Sequence, residues 1–228
     1  MEESKAWKTI FEDVWLKQFP LDVFGCALGR TVLIFRLKDG QILVYSNAFF
    51  EACDVDFIRS LGGAVHILEN TCFHDTCTRT VLEQFPEASY YVPENFPIKN
   101  ERFKSITELQ TILQDELRLI TLGGMPKVNE VVLFDPQNQL LGIADLLFNF
   151  SSEKPWWTRF FLRNVSGIRE FPGMSRLFKM MIKDQKAFSN SIDQLRALDF
   201  QHLIVAHNDP VFENGKKAFE QALERNGF

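Results

Sequence analysis

The chain has 228 residues, of which 46% are hydrophobic and 24% charged, and its formal net charge is −5. This balance predicts a single globular domain over residues 1–228 and excludes a disordered or fibrous chain. The acidic charge argues against nucleic acid as a partner, and no run of about 18 apolar residues is present to span a membrane.

The N-terminal segment does not resemble a secretory signal. Residues 1–5 include two glutamates, and no apolar stretch follows them. The four cysteines form no C-x-x-C pair and indicate no disulfide framework. We therefore expect a cytoplasmic protein with reduced thiols.

Two β-hairpins are predicted, one in each half of the chain. The first joins residues 31–37 to residues 41–46, and an Asp-Gly pair between two apolar runs is a strong hairpin signal. The second joins residues 130–134 to residues 139–144 through a turn that contains Asp135 and Pro136. Each half is therefore expected to begin with an antiparallel pair of strands.

Helices and strands are predicted between and after the hairpins. In chain order they are a helix that Asp54 caps and that ends at Gly62 and Gly63, strand 65–69, helix 78–85, strand 89–92, helix 107–114, strand 117–121, helix 189–198, strand 202–206 and helix 214–225. Residues 150–187 have no counterpart in the first half and are predicted to form a helical insertion.

An internal repeat relates the two halves. Without a gap, Asp56, Arg59, Leu61 and Ile67 match Asp193, Arg196, Leu198 and Ile204. Each copy predicts a short amphipathic helix that leads into a buried strand, and the strands end on Asn70 and His207. Two such halves can pack sheet on sheet with helices outside, so we predict a four-layer αββα sandwich within the α/β (α+β) class.

Four loops at or near predicted strand ends carry the candidate chemistry. They span residues 70–76, 123–126, 143–145 and 205–210. Loops at the ends of strands are where α/β proteins commonly place their sites. Histidine and aspartate in these loops form a suitable ligand set for zinc, iron or manganese.

These features make the chain similar to the metallo-β-lactamase superfamily, and in particular to a branch known only as a conserved domain of unknown function. The resemblance runs from Trp15 to the C-terminal helix. Its marks are Gly29-Arg30, Asp39-Gly40, Ser46, Leu61-Gly62, Asn70 with His74, Phe85-Pro86, Asn129-Glu130-Val131, residues 145–149, and His207 with Asp209. It implies an αββα sandwich of two pseudo-repeated halves with a metal site at one edge of the sheets.

The superfamily's first metal motif, His-x-His-x-Asp-His, is degenerate in this chain. An ungapped match places Thr71, Phe73 and Thr76 at its histidines and Asp75 at its aspartate, with His74 between ligand positions.

The remaining family ligands are matched in part. Met125 corresponds roughly to the next histidine, Asp145 to the bridging aspartate and His207 to the last histidine. The resemblance thus implies either one divalent metal (zinc, iron or manganese) or none. Its ligands would be His74, Asp75, Asp145 and His207, with catalytic roles for Asp75 and Asp145.

Each candidate ligand can also have a purely structural role. His74 and Asp75 can cap the helix that begins near Thr78, Asp145 can brace the loop after its strand, and His207 can be a hydrogen-bonded turn residue. The sequence leaves both interpretations open.

The insertion mixes aromatic and cationic side chains. They are Trp156, Trp157, Phe160, Phe161, Phe171 and Phe178, with Arg159, Arg163, Arg169, Arg176, Lys179 and Lys183. We expect a helical lid with its aromatic side chains inward. The alternatives are a cleft for an anionic or aromatic ligand, a surface for a protein partner, and the less favoured peripheral contact with a membrane.

Two functions follow from these expectations. The first is a hydrolase-like protein with a reduced metal site that acts on an ester-, thioester-, lactone- or phosphoester-type substrate. The alternative is a catalytically inactive relative that binds a ligand or a protein. In both cases we expect a small-molecule partner of anionic character and no nucleic acid. The sequence leaves both a monomer and a homo-oligomer open.

Overall fold

Two β-sheets lie face to face in the computed structural model, which describes residues 6–23, 25–150 and 155–228. Within these residues the first sheet has seven strands in the order β1-β2-β5-β6-β7-β8-β9, and the second has four in the order β10-β11-β12-β13. The strands are β1 Lys8–Phe11, β2 Val14–Phe19, β3 Asp22–Val23, β4 Cys26–Ala27, β5 Arg30–Arg36, β6 Ile42–Tyr45, β7 Val65–Leu68, β8 Ser89–Val92, β9 Phe103–Ser105, β10 Arg118–Thr121, β11 Val131–Asp135, β12 Leu140–Ile143 and β13 His202–Val205. Strands β3 and β4 pair only with each other.

Helices cover both outer faces. They are α1 Ala52–Ser60, α2 Thr78–Gln84, α3 Ile106–Leu113, α4 Trp156–Phe160, α5 Arg176–Met180, α6 Gln185–Arg196 and α7 Gly215–Glu224, with a 3-10 turn at Asp75–Cys77 and a π-helical turn at Phe161–Val165. No helix in the described part of the chain has the length and apolar character needed to cross a bilayer. Residues 1–5, on which the absence of a signal was argued, lie outside the described residues, as do residues 151–154 of the insertion.

Three apolar clusters separate the layers, because successive side chains of a strand point to opposite faces. Ile34 of β5 shares one cluster with Ile58 of α1. Its neighbour Leu33 shares another with Leu133 of β11, between the two sheets. Ile192 of α6 belongs to a third cluster on the outer face of the second sheet. The order is therefore helices, sheet, sheet, helices, which confirms the predicted four-layer αββα sandwich.

Both predicted hairpins are confirmed, and each is extended in the same way. β5 and β6 pair antiparallel, as do β11 and β12. β7 then joins β6 in parallel with Ile42 opposite Val65, and β13 joins β12 in parallel with Leu140 opposite His202. The repeated sequence thus has a repeated structure, in which α1 precedes β7 and α6 precedes β13.

Two helix starts differ from the prediction. Asp54 is not the N-cap of α1, because Glu51 takes that position and Asp54 is the third helical residue, whose carboxylate accepts the Glu51 N–H at 3.1 Å. α6 begins at Gln185, four residues before its predicted start, because Asp184 caps it by accepting the Ala187 N–H at 3.0 Å. The predicted insertion over 150–187 therefore includes the first turn of α6.

Candidate metal centre

Three buried side chains converge at one edge of the sandwich. His207 Nε2 lies 3.2 Å from Asp145 Oδ1, and His74 Nε2 lies 3.5 Å from the same oxygen. One ligand atom from each residue lies within 4.8 Å of the other two. The three residues are 2–8% exposed. Two imidazole nitrogens and a carboxylate oxygen at this separation form a donor set suited to one divalent metal.

The sheet topology accounts for this convergence. β12 and β13 are parallel neighbours with Ile143 opposite Val205, so Asp145 and His207, each two residues past its strand, emerge at the same edge. His74 comes from the loop after β7 in the other sheet. A backbone hydrogen bond from Val131 N to Asn70 O, 2.7 Å long, ties the start of that loop to the second sheet.

The Nδ1 atom of each histidine lies within hydrogen-bond distance of an oxygen acceptor. His74 Nδ1 lies 2.9 Å from Asn70 Oδ1, and His207 Nδ1 lies 2.8 Å from the carbonyl oxygen of Gly29. Such contacts place the proton of a neutral imidazole on Nδ1 and leave the Nε2 lone pair facing the carboxylate of Asp145. The Nε2 lone pairs and the carboxylate repel each other, and a cation bound between them would remove this repulsion because all three groups would coordinate it.

The protonation states also suit a metal, which binds neutral histidine and ionised carboxylate. Burial, with a smaller contribution from the cation of Arg30, lowers the pKa of His74 to about 3. Burial alone would raise the pKa of Asp145, but the charge of His74, which is protonated in the acid range where this carboxyl titrates, outweighs it together with hydrogen bonds from His207 and His74 and holds that pKa well below its usual range. At neutral pH the centre therefore contains a neutral His74 and an ionised Asp145.

Glu130 fixes the loop that carries Asp145. Its buried carboxyl oxygens accept the N–H groups of Ala144 at 2.7 Å and Asp145 at 3.0 Å. Burial, followed by the charge of Asp145, raises the pKa of Glu130 to about 8. The sequence marked Glu130 as part of the family resemblance but did not predict this positioning role.

A second buried polar group lies at the end of β7. Glu69 Oε1 accepts hydrogen bonds from the hydroxyls of Thr78 at 2.5 Å and Tyr90 at 2.6 Å, and from the amide of Asn47. Arg30 is also buried, and its charge acts on both Asp145 and Glu69. The one hydrogen bond from its side chain to a described residue runs from Nη1 to Asn47 O at 3.5 Å.

Buried polar atoms without a partner concentrate at this edge. Of the nine such side-chain atoms among the described residues, seven belong to Arg30, Ser46, Asn47, Glu69, Asn70, His74 and Asp145. Buried polar groups are normally satisfied by protein, water or ions. Seven together indicate a polar space that an ion, water or a substrate group completes, and His74 Nε2 and Asp145 Oδ2 are two of them.

The cluster leaves out the fourth predicted ligand. Asp75 is the first residue of the 3-10 turn and is half-buried, and it does not join His74, Asp145 and His207 within the described residues. His74 makes no side-chain capping hydrogen bond to that turn. Its imidazole faces Asp145 instead, so the set that the structure brings together contains His74 but not Asp75.

The positions matched to the missing family histidines carry side chains that do not enter the cluster. Thr71 donates a hydrogen bond to the Val128 carbonyl at 3.1 Å, Phe73 is 42% exposed, and Met125 lies in the apolar core. None of them supplies a ligand. The sequence could have pointed to Asn70 as the partner of His74, because it ends the repeated strand where the other copy carries His207.

Comparison with known proteins gives a result at the level of fold. No protein-family model matches the chain, and no curated protein matches it. Among solved structures, a metallo-β-lactamase from Erythrobacter litoralis with β-mercaptoethanol in its active site has a TM-score of 0.66 and 14% identity, with 96% of each chain covered. The metallo-β-lactamase from Pontibacter korlensis has a TM-score of 0.63 and 12% identity, covering 96% of this chain and 98% of that one.

A third similar structure is the metallo-β-lactamase FIM-1 from Pseudomonas aeruginosa in its mono-zinc form. It has a TM-score of 0.62 and 13% identity, covering 97% of this chain and 95% of that one. Similarity over nearly the full length of all three chains, at so low an identity, is a similarity of fold. This protein therefore has the metallo-β-lactamase fold that its sequence resemblance implied.

Proposed function

We propose that the protein binds one divalent metal ion through Nε2 of His74, a carboxylate oxygen of Asp145 and Nε2 of His207, and is a metal-dependent hydrolase. The observation that carries the proposal is the convergence of these three buried donors within 4.8 Å. Zinc is the first candidate, because one structure of the same fold is described as a mono-zinc form. The donor set also suits iron or manganese.

Three protein ligands leave a coordination position open, as in catalytic rather than structural zinc sites. A metal ion held there lowers the pKa of a water molecule and polarises the bond to be cleaved. The chain's own groups have distinct tasks: Asp145 stays ionised, Glu130 holds the Asp145 backbone, and the buried cation of Arg30 favours an anionic substrate group. The proposed substrates are esters, thioesters, lactones or phosphoesters.

Metal analysis tests the centre directly. Protein purified without chelators should contain about one equivalent of metal, and both Asp145→Ala and His207→Ala should lose it. His202→Ala is the matched control, because His202 lies on β13 outside the cluster, with its ring 4.9 Å from that of Phe11. Parent protein that is metal-free and binds no added zinc would overturn the proposal.

A hydrolysis assay tests the activity separately from the metal. The metal-loaded parent should hydrolyse at least one ester, thioester, lactone or phosphoester in a panel, and Asp145→Ala should not. Protein that holds its metal but cleaves none of them would favour the second candidate, a catalytically inactive ligand-binding protein. A cavity in the insertion, which Phe150, Trp156 and Phe171 help to line, supports this second candidate.

A further inference from the structure

The insertion forms a cavity of about 480 Å³. Apolar side chains line it, among them Phe150, Trp156 and Phe171, together with Arg159, Arg163 and Arg169. Its size lies in the range of about 300–1,000 Å³ that is common for small-molecule sites, which are mostly apolar with a few polar groups. The lining of this cavity has that composition.

The three arginines are available to a ligand. All three are exposed, and none of their guanidinium groups makes a hydrogen bond or an ion pair with any residue that the structure describes. Residues 155–183 contain six Lys or Arg residues and one Glu, for a formal charge of +5 in a chain whose net charge is −5. A positive charge so concentrated favours an anion.

Four of the insertion's six aromatic side chains are exposed rather than inward as the lid interpretation required, whereas Phe178 is buried in the core. Trp156 is 76% exposed and Phe160 47% exposed, and both line the cavity. Exposed aromatic surface beside free cations is suited to a ligand with an apolar body and an anionic end. A larger cavity of about 940 Å³ elsewhere is lined by charges of both signs, including Glu94 and Lys99, and selects no such class.

A series of stacked aromatic rings links the wall of the cavity to the candidate metal centre. The ring centre of His207 lies 5.0 Å from that of Phe148, which lies 6.2 Å from that of Phe150, and the rings of both pairs are nearly parallel. Phe150 in turn contacts Phe171 at 5.6 Å, and both line the cavity. A ligand in the cavity therefore lies beside the site edge rather than on a distant surface.

We propose that this cavity binds an anionic amphiphile, with its apolar chain against the aromatic rings and its anionic end among Arg159, Arg163 and Arg169. The inference does not depend on the metal, because no cavity residue belongs to the three-ligand cluster. The shared chemistry fits a free acyl carboxylate or an anionic lipid headgroup, and the cavity favours the free molecule.

Calorimetric titration with decanoate, on chelator-treated and on zinc-loaded protein, tests the proposal. The parent should bind decanoate in both states and decanol much more weakly. The triple variant Arg159→Gln, Arg163→Gln, Arg169→Gln should weaken decanoate binding by roughly two- to fivefold per charge removed. Trp156→Ala should weaken it roughly tenfold, and added salt should weaken binding to the parent. Arg118→Gln, an exposed cation on β10, is the matched control and should bind like the parent.

Vesicles containing an anionic lipid separate the two sources of the ligand. Leu177 and Met180 are 56% and 70% exposed on α5 but do not line the cavity. If Leu177→Ala and Met180→Ala reduce vesicle binding while free decanoate does not bind the parent, the segment is a membrane surface and the proposal fails. Equal binding of decanoate by the parent and the triple arginine variant would also overturn it. Because these outcomes are read on chelator-treated protein, neither result bears on the hydrolase proposal.

Discussion

At the scale of single residues, hydrogen-bond partners set the orientation of the candidate ligand side chains. Asn70 orients His74 through a 2.9 Å contact at Nδ1, and partners of this kind typically account for about 10–100-fold in metal affinity. We expect Asn70→Ala to weaken zinc affinity by a factor in that range, measured by competition with a chelating dye. Asn164→Ala, on the exposed π-helical turn, should leave the affinity unchanged. Unaltered affinity in Asn70→Ala would show that His74 needs no such partner.

Glu69 gives the fold a pH dependence of its own. Burial raises its pKa from 4.5 to about 7. The unfolded chain loses this proton near pH 4.5 and the folded chain only near pH 7, so the free energy of unfolding falls as pH rises through this interval. The shift corresponds to roughly 3 kcal/mol at most.

Urea unfolding at pH 5 and pH 7 measures this effect. Glu69→Gln keeps the hydrogen-bond acceptor but cannot ionise, so this variant should lose less stability than the parent between the two pH values, by roughly 1–3 kcal/mol. Glu83→Gln, an exposed position on α2, should behave like the parent. A Glu69→Gln variant with the parent's pH profile would mean that Glu69 stays ionised in the folded protein.

At the scale of elements, a close backbone approach sets the position of α6. Gly124 has φ 76°, and a Cβ there would lie 2.1 Å from the Asp184 carbonyl oxygen. The Lys183 N–H donates to the Gly124 carbonyl at 2.8 Å. This contact joins the loop after β10 to the start of α6, and α6 leads into β13 and His207.

Gly124→Ala should lower the free energy of unfolding by about 3 kcal/mol or more, because it combines a left-handed backbone with a clash. Gly40→Ala separates the two causes, since Gly40 has φ 85° with no atom within 4 Å of a built Cβ. That control should cost about 1–2 kcal/mol. Chemical denaturation measures both, and equal losses would show that the contact with Asp184 adds nothing to the backbone strain.

At the scale of the whole molecule, a metal that binds only the folded chain must stabilise it. Zinc at about 100 times its dissociation constant should add about 2.7 kcal/mol. For a chain of this size that corresponds to a rise of roughly 5–10 °C in the thermal midpoint. Scanning calorimetry should show the rise in the parent and in His202→Ala but not in Asp145→Ala. The same rise in Asp145→Ala would place zinc elsewhere.

Most elements could be predicted from the sequence because their signals are local. The Asp-Gly turn at residues 39–40 and the apolar runs on either side of it predicted the first hairpin, and the repeat predicted how each hairpin is extended. β1 and β2 were not predicted, since β2 is positioned by pairing with β5 and β1 by pairing with β2 rather than by a pattern of their own. The start of α1 was misplaced because both Glu51 and Asp54 accept hydrogen bonds at a helix N-terminus.

The residues of the candidate site were likewise predicted from the sequence only in part. The sequence by itself determined the order of the repeated hairpins, helices and strands, and with it the sheet edge where Asp145 and His207 emerge together. Only the tertiary structure decided that His74 joins them while Asp75 does not, because that choice depends on the path of the loop after β7 and on its ties to the second sheet. It alone also brought Phe150, Trp156 and the three arginines around one cavity, since the order of residues within the insertion does not fix how this segment folds back on itself, as it does where Phe148 pairs with Gly173.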